Sequence, residues 1–342
     1  MLPPFRPQPT GVPWPTEVWP TSSLADDVDV AAVTDALRYL DGQPPEIGLS
    51  LATLVVHRGG IVAEQYASSA GEDTALVSWS MGKSVTQALV GVIVGQGRLA
   101  VDQRAPVAAW AEDERRRITI QQLLNMRSGL RFVEDYVDDT VSHCIEMLFG
   151  AGHQDVAGYA ASLPLDHPPG EVWNYSSGTT NILCRVVGDV VDGGEEGMRR
   201  FMHGHLFGPL GMTSADPRFD GAGTFIGSSF LYATARDFAR FGYLYLRGGM
   251  WEDRQLLPVG WADAARTATA VPTDEPFGYG AQWWLWREWS GTFGAHGYEG
   301  QYVVVCPDRD LVVVQLSKNV AEDRPHLLGP LRRIIGAFPT TA

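Results

Sequence analysis

The sequence predicts an α+β fold in which both ends of the chain share one antiparallel sheet and the middle forms a mainly helical insertion. Strand-like hairpins occur near each end, and helical segments separated by Pro/Gly-rich loops fill the region between them. The 342 residues are 45% hydrophobic and 19% charged, a composition that supports a packed core and excludes disorder over most of the length.

The first 97 residues contain an arm, a helix, a hairpin and a second helix. Residues 1–22 form a proline-rich arm, which we expect to lie extended on the surface. Apolar residues recur at helical spacing over residues 28–40, and the apolar runs 49–56 and 61–66 flank His-Arg-Gly-Gly as a hairpin. A long apolar helix is predicted over residues 80–96, ended by glycine.

The same signals continue to the end of the chain. The helices and strands predicted after residue 97 cover residues 118–126, 177–191, 234–246, 301–306, 311–316 and 325–336. We therefore predict a discontinuous α/β domain, residues 23–97 and 226–342, and a mainly helical domain, residues 98–225. A ligand site is expected in the crevice between them.

Charge and composition exclude several classes of function. The net charge is −14 and the longest basic block is Arg115–Arg117, so a nucleic-acid partner is not expected. No apolar run reaches the ~18 residues that span a bilayer, and no signal pattern occurs at the start, so we expect no membrane partner and a cytoplasmic protein. The three cysteines lack CxxC spacing, and neither a disulfide framework nor a metal site is indicated.

Ser80 and Lys83 form the first candidate for catalysis. Residues three apart on a helix share a face, so the Lys83 amine can reach the Ser80 hydroxyl. An apolar surrounding lowers the proton affinity of a lysine, and a helix amino end favours negative charge on the serine. The chain has only two lysines, which makes a chance match to S-x-x-K uncommon. A helix-capping serine followed by a lysine is the structural alternative.

A second serine motif overlaps the first. Ser78 to Gly82 differs by one residue from G-x-S-x-G, the elbow that presents the nucleophile in α/β-hydrolases. That elbow requires glycine at the position of Ser78, and its fold requires alternating parallel strands and helices. The sequence shows neither feature.

Three stretches resemble the serine β-lactamase-like group, which includes class C β-lactamases, D-Ala-D-Ala peptidases and family VIII esterases. They are Ser80–Ser84, Ile118–Leu130 and Pro169–Ser177, similar to the group's S-x-x-K helix, its "iTi..LL...SGl" helix and loop and its "PG..w.Ys" segment. The resemblance extends from about Leu51 to Asn319. It implies the α/β sandwich of the β-lactamase/transpeptidase-like type.

Two further stretches narrow the resemblance within this group. Residues 132–136 and 295–301 look most like 6-aminohexanoate-dimer hydrolase relatives. By this resemblance Tyr136 corresponds to the tyrosine that contacts the amide being cleaved in the amide hydrolases of the group. A tyrosine at the rim of an Asp-rich loop is the alternative.

The resemblance also implies the catalytic roles. Ser80 corresponds to the nucleophile, Lys83 to the residue that activates it and Tyr175 to the tyrosine of the Y-x-N element, which relays protons. A phenol beside a cation is expected to have a lowered pKa. A half-buried aromatic with its hydroxyl on the backbone is the alternative for Tyr175. The backbone N–H groups of Ser80 and Tyr298 would form the oxyanion hole.

The sequence departs from the group at two positions that recognise substrate. Ser177 replaces the asparagine of Y-x-N. The K-T-G segment aligns on Gly297 but lacks its lysine, so that either His296 substitutes for the lysine or Ala295 occupies its place. Both changes weaken carboxylate recognition and disfavour a β-lactamase or transpeptidase.

Two other groups of side chains have structural and functional interpretations. Trp284 and Trp286 would share one face of a strand, either as core and cleft wall or as an aromatic pocket for the acyl or amide group. His203 and His205 have a spacing that metals use in strands, but they lie in a helical stretch, so no metal is expected.

The sequence thus predicts a serine hydrolase that acts through an acyl-enzyme on small carboxylic esters or linear amides, without a cofactor. A β-lactamase or D-Ala-D-Ala carboxypeptidase is the alternative within the same chemistry. A non-catalytic penicillin-binding-like module is the alternative outside it. The partner expected is a small-molecule ester or amide, and the oligomeric state stays open.

Overall fold

A seven-stranded antiparallel sheet forms the centre of the computed structural model, which describes residues 2–44, 46–134, 141–272, 275–319 and 324–340. The order of its strands is β2-β1-β12-β11-β10-β9-β8, and β3-β5-β4 and β6-β7 form two small sheets. The strands are β1 (Gly48–His57), β2 (Gly60–Tyr66), β3 (Leu76–Val77), β4 (Asp216–Pro217), β5 (Leu231–Ala233), β6 (Met250–Trp251), β7 (Arg254–Gln255), β8 (Gly278–Tyr279), β9 (Trp284–Leu285), β10 (Phe293–Gly297), β11 (Gln301–Cys306) and β12 (Leu311–Asn319).

The pairing of β1 with β12 joins the two ends of the chain. Val55 lies opposite Val313 and His57 opposite Leu311 in this antiparallel ladder. The hairpin β1–β2 continues the sheet on one side and the hairpin β11–β12 on the other. This arrangement confirms the predicted α+β fold with one sheet built from both chain ends.

Helices cover both faces of the sheet. They are α1 (Val30–Asp41), α2 (Gly82–Gly95), α3 (Ile120–Leu124), α4 (His143–Leu148), α5 (Val156–Ser162), α6 (Ser177–Val191), α7 (Gly194–Met202), α8 (Gly208–Leu210), α9 (Ala235–Leu246), α10 (Trp261–Arg266) and α11 (Arg324–Ala337). Helices α1 and α11 pack against one face together with Val304 and Val313, whereas α2 and α9 share the core of the other face with Val303 and Val312. Alternate residues of one strand thus enter different cores, as the period of two requires.

Some predicted elements have the bounds that the structure shows, and others differ by a few residues. The helix predicted over residues 177–191 and the strand predicted over 301–306 have those bounds. The helix predicted from residue 80 begins at Gly82 instead, because residues 79–81 form a 3-10 turn. The proposed domain boundaries at residues 97 and 226 stay a prediction.

The structure also bears on what was predicted for His203 and His205, for metal binding and for membrane-spanning segments. His203 and His205 lie in a π-helical turn, His203–Phe207, rather than in a strand. Among the described residues, no group of three or more His, Cys, Asp or Glu side chains could hold a metal ion. No described helix combines the length and the apolar character needed to cross a bilayer.

Candidate active site

Ser80 lies on a strained turn at the amino end of α2. The preceding residue, Trp79, has φ = 43°, a left-handed conformation that costs about 1–3 kcal/mol for a bulky residue. The Ser78 side chain connects this turn to a distant loop. Its hydroxyl lies 2.9 Å from the Trp79 carbonyl oxygen and 3.2 Å from the Ser229 carbonyl oxygen. The turn therefore depends on a loop more than 140 residues away in the sequence.

Lys83 is buried, with 1% of its surface exposed, and its side-chain nitrogen contacts three oxygen atoms. Nζ lies 2.8 Å from the Ser80 hydroxyl, 2.9 Å from the Ser177 hydroxyl and 3.1 Å from the Ser228 carbonyl. These three oxygen partners fix the direction of the side-chain nitrogen. The predicted contact between Ser80 and Lys83 is thus present in the structure.

The Tyr175 ring lies beside this lysine, with 4.9 Å between Nζ and the ring centroid. Burial raises the pKa of Tyr175, and this effect outweighs the lowering by the Lys83 charge and by hydrogen bonds to Ser80 and Lys83. The expectation of a lowered pKa was therefore wrong in its net direction. Because desolvation dominates, the phenol is neutral at pH 7 and can donate its proton.

Glu134 extends the hydrogen-bonded set beyond the residues that the sequence indicated. Its carboxylate accepts hydrogen bonds from the backbone N–H of Ser177 (2.7 Å) and from the Ser177 hydroxyl (2.5 Å). Ser177 is the first residue of α6, where a carboxylate is favoured by the helix dipole. The residues Glu134, Ser177, Lys83 and Ser80 thus form one continuous chain of hydrogen bonds.

A close approach of two backbone segments places the Ser228 carbonyl against Lys83. A Cβ atom at Gly82 would lie 2.6 Å from the Gly227 carbonyl oxygen, so glycine is required where α2 meets this loop. Asn181 on α6 fixes the loop, since its side-chain oxygen accepts the Ser228 N–H at 3.2 Å. Neither Asn181 nor Ser228 was identified from the sequence.

One cavity of about 120 Å³ opens beside Ser80 and Tyr175. Its wall combines aromatic and charged side chains with the end of β10, and the lining residues are Ser80, Tyr175, Glu275, Pro276, Phe277, Trp284, His296, Gly297, Tyr298, Tyr302 and Arg324. We name this space the tyrosine-side cavity. The predicted residues Trp284, His296 and Gly297 thus face the same space as Ser80.

His296 is a neutral member of this wall. The Trp286 indole N–H donates to its Nε2 at 3.0 Å, which leaves the ring proton on Nδ1. The Trp284 ring stacks on it at 5.8 Å between centroids. Burial holds the pKa of His296 well below its ordinary value, so this side chain supplies no fixed positive charge in place of a lysine.

A second cavity, of about 230 Å³, opens on the other side of Ser80. Its lining residues are mostly apolar and come from the Ser80 turn, from α4 and the residue after it, from the loop before β5 and from the turn after β10. They are Trp79, Ser80, Cys144, Ile145, Leu148, Phe149, Ser229 and Tyr298. We name this space the α4-side cavity. Ser80 and Tyr298 line both cavities, and so lie at the boundary between them.

The structure places the remaining predicted site residues in three ways: buried behind the cavities, outside the described residues, or beside the turn that carries Ser80. Trp286 is buried behind His296 and does not line either cavity, and Ser177 is buried between Lys83 and Glu134. Tyr136 falls outside the described residues. Tyr298 lies close to the turn that carries Ser80, because the rings of Trp79 and Tyr298 are 5.7 Å apart and a Cβ atom at Gly297 would lie 2.4 Å from the Ser78 carbonyl oxygen.

Solved structures with the same fold include one named an esterase. A protein from Bacillus anthracis that carries the provisional name 6-aminohexanoate-dimer hydrolase superposes with a TM-score of 0.76 at 19% identity, covering 99% of this chain and 92% of that one. A family VIII carboxylesterase superposes with a TM-score of 0.66 at 13% identity, covering 92% of this chain and 99% of that one.

Sequence comparison assigns the family. The 6-aminohexanoate-dimer hydrolase of Paenarthrobacter ureafaciens is 26% identical over 302 residues, which cover 81% of this chain and 75% of that protein. A family model described as Beta-lactamase matches residues 48–336, most of the length of the chain and every described residue of the Ser80 site. The chain therefore belongs to the Beta-lactamase family.

Proposed function

We propose that this protein is a serine hydrolase that forms an acyl-enzyme on Ser80 and cleaves small carboxylic esters or linear amides. The observation that carries the proposal is the hydrogen-bonded set of Ser80, Lys83 and Tyr175 at the amino end of α2. A nucleophile beside a base that is itself held in place is the arrangement typical of covalent hydrolases.

Acylation follows from this arrangement. The Ser80 oxygen attacks the substrate carbonyl carbon while its proton passes to Lys83, which acts in this step as the uncharged amine, because the neutral Tyr175 phenol has no vacant site for a proton. The bond to the leaving group then breaks, the leaving alcohol or amine takes the proton of the neutral Tyr175 hydroxyl, and Tyr175 regains a proton from Lys83. Water attacks the resulting ester by the same route, which releases the acid and returns the proton to Ser80.

The backbone N–H groups of Ser80 and Tyr298 are the proposed oxyanion hole. Ser80 belongs to the 3-10 turn at the start of α2, where backbone N–H groups lack helical partners. Tyr298 follows the end of β10, and both residues line both cavities. Donors held by the fold before substrate arrives stabilise the developing negative charge without reorganisation.

Ester and linear amide substrates agree best with the rest of the site. Ser177 uses its hydroxyl for Lys83 and Glu134, and the neutral His296 offers no cation for a β-lactam carboxylate. Similar proteins include a 6-aminohexanoate-dimer hydrolase and a family VIII carboxylesterase, whose names describe amide and ester hydrolysis.

One observation favours the second candidate, a β-lactamase or D-Ala-D-Ala carboxypeptidase. Arg324 lines the tyrosine-side cavity and is the kind of side chain that binds a substrate carboxylate. Comparing nitrocefin opening with ester hydrolysis separates the two candidates, since efficient nitrocefin opening would favour the second one.

The first experiment compares hydrolysis of 4-nitrophenyl butyrate by the wild type and by Ser80→Ala. We expect kcat to fall by at least about 10³-fold in the variant, because no other serine or threonine hydroxyl among the described residues both contacts Lys83 and lines a cavity. Ser162→Ala is the matched control, since Ser162 is exposed at the end of α5 and lines neither cavity.

Labelling with a serine-reactive phosphonate completes the test. The proposed function requires one covalent adduct on wild type and none on Ser80→Ala. Equal ester hydrolysis by both proteins would show that Ser80 is not the nucleophile. Absence of both turnover and adduct would favour the non-catalytic binding module.

A further inference from the structure

The α4-side cavity has no role in the proton transfers described above. We propose that it binds the acyl part of the substrate, and that this part is an uncharged aliphatic or aryl group. The inference rests on the proposed function, because it assigns the two sides of the acyl-enzyme on Ser80. It adds a substrate class, the esters or amides of apolar carboxylic acids.

The position of Tyr175 indicates where the leaving group and the acyl chain of the substrate lie relative to Ser80. The leaving group receives its proton from the Tyr175 hydroxyl and therefore lies within hydrogen-bond reach of it. Tyr175 lines only the tyrosine-side cavity of the two. With the carbonyl oxygen in the hole formed by Ser80 and Tyr298, the acyl chain points away from Tyr175 and into the α4-side cavity.

The walls of the α4-side cavity select an apolar group. Trp79, Ile145, Leu148 and Phe149 supply its surface, and the described residues that line it include no Asp, Glu, Lys, Arg or His. A carboxylate or ammonium on the acyl chain would lose water there without gaining an ionic partner from these walls. An apolar chain would be stabilised by leaving water.

The mouth of this cavity is also apolar. Ile145 on α4 and Phe149 immediately after this helix are 36% and 64% exposed, and both line the cavity. The Phe149 ring contacts Phe230 at 6.0 Å between centroids, and Phe230 contacts Trp79 at 5.7 Å. This row of rings continues the apolar surface from the nucleophile turn to the outside and allows a chain to extend beyond the cavity.

The test is a series of 4-nitrophenyl esters from acetate to hexanoate. We expect kcat/KM to rise about three- to fourfold for each methylene that enters the cavity, the value that corresponds to the burial of one methylene. The 4-nitrophenyl esters of pentanoic acid and succinic acid are similar in length but differ in terminal charge. We expect kcat/KM to be at least about tenfold lower for the succinate ester.

The double variant Ile145→Ser/Phe149→Ala tests the location. Both side chains are partly exposed, so the variant should fold, and we expect it to remove most of the chain-length dependence. Trp284→Phe changes the tyrosine-side cavity and should change kcat/KM by a similar factor for every acyl chain. Val259→Ala, at a residue 89% exposed, is the surface control.

The outcomes separate this inference from the proposed function. A flat chain-length series with Ser80-dependent turnover would overturn the inference alone. So would a chain-length dependence that persists in the double variant, because the acyl group would then lie elsewhere. Loss of Ser80-dependent turnover with every ester would overturn the proposed function and the inference together.

Discussion

Glu134 changes the electrostatic surroundings of the proposed catalytic residues, although it has no hydrogen bond to Ser80 among the described contacts. Its carboxylate holds Ser177 by two hydrogen bonds, and Ser177 in turn contacts the Lys83 amine. The negative charge of Glu134 also raises the pKa of Tyr175. Glu134 is therefore a positioning residue that acts on both partners of Ser80 at once.

Glu134→Gln should lower kcat by about tenfold or more, because an amide oxygen cannot replace both hydrogen bonds to a carboxylate. Removal of the negative charge lowers the pKa of Tyr175, so the alkaline limb of the pH–rate profile, where the phenol loses its proton, should move to lower pH. The measurement is kcat for 4-nitrophenyl butyrate against pH.

Ser177→Ala is the matched variant for this prediction. It breaks the same connection but retains the Glu134 charge, so kcat should fall while the alkaline limb stays in place. An unchanged kcat and an unchanged limb in Glu134→Gln would show that Glu134 only supports the fold.

His57 makes the stability of the protein depend on pH. Its ring is 3% exposed at the end of β1, packs on Phe338 at 4.7 Å, and has no hydrogen bond to Nε2 from any described residue. Burial lowers its pKa from 6.5 to about 4. Between these values the unfolded chain binds a proton that the folded protein does not, so stability is full above pH 6.5 and decreases as the pH falls towards 4.

We expect His57 to contribute a loss of about 2 kcal/mol in the free energy of unfolding between pH 7.5 and pH 5. His57→Leu removes the titrating group, so its free energy of unfolding should fall less than that of the wild type over this range. Urea titrations of both proteins at the two pH values measure the difference. An identical decrease in both proteins would contradict the assignment.

At the scale of elements, local patterns predicted most of the fold. Runs of apolar residues predicted the strands β1 and β11, and these runs are continuous because each strand has one side in each core. Helix α6 begins where Ser176 caps it and so could be located from the sequence. The spacing of Ser80 and Lys83 predicted their contact for the same local reason.

Contacts between distant segments could not be predicted in this way. The turn at Trp79 keeps its left-handed conformation through tertiary partners, including a hydrogen bond from its indole N–H to Glu299, 220 residues away. Glu134 meets Ser177 across 43 residues, and Lys83 meets the Ser228 carbonyl across 145. These contacts depend on how the elements pack against one another. The spacing of residues within one segment cannot predict them.

At the scale of the whole molecule, the described residues of the proline-rich arm pack on α9 and line neither cavity. Trp14 contacts the Trp251 ring at 5.2 Å, and the carbonyl of Pro15 accepts a hydrogen bond from Arg240 at 2.7 Å. Backbone hydrogen bonds link Ser22 and Pro20 to Ile61 on β2. No described residue of the arm lines either cavity, so its contribution is expected in stability rather than in substrate binding.

Trp19→Ala tests this division of roles. Trp19 is 5% exposed, lies 5.8 Å from the Tyr243 ring and donates its indole N–H to the Arg236 carbonyl at 3.1 Å. Its removal should lower the free energy of unfolding by about 3–5 kcal/mol, as for other buried tryptophans, with KM unchanged below the unfolding transition. Val18→Ala, at a neighbour that is 76% exposed, is the matched control and should change neither quantity. A raised KM in folded Trp19→Ala would mean that the arm acts on the active site, and an unchanged denaturation midpoint would mean that it contributes nothing to the core.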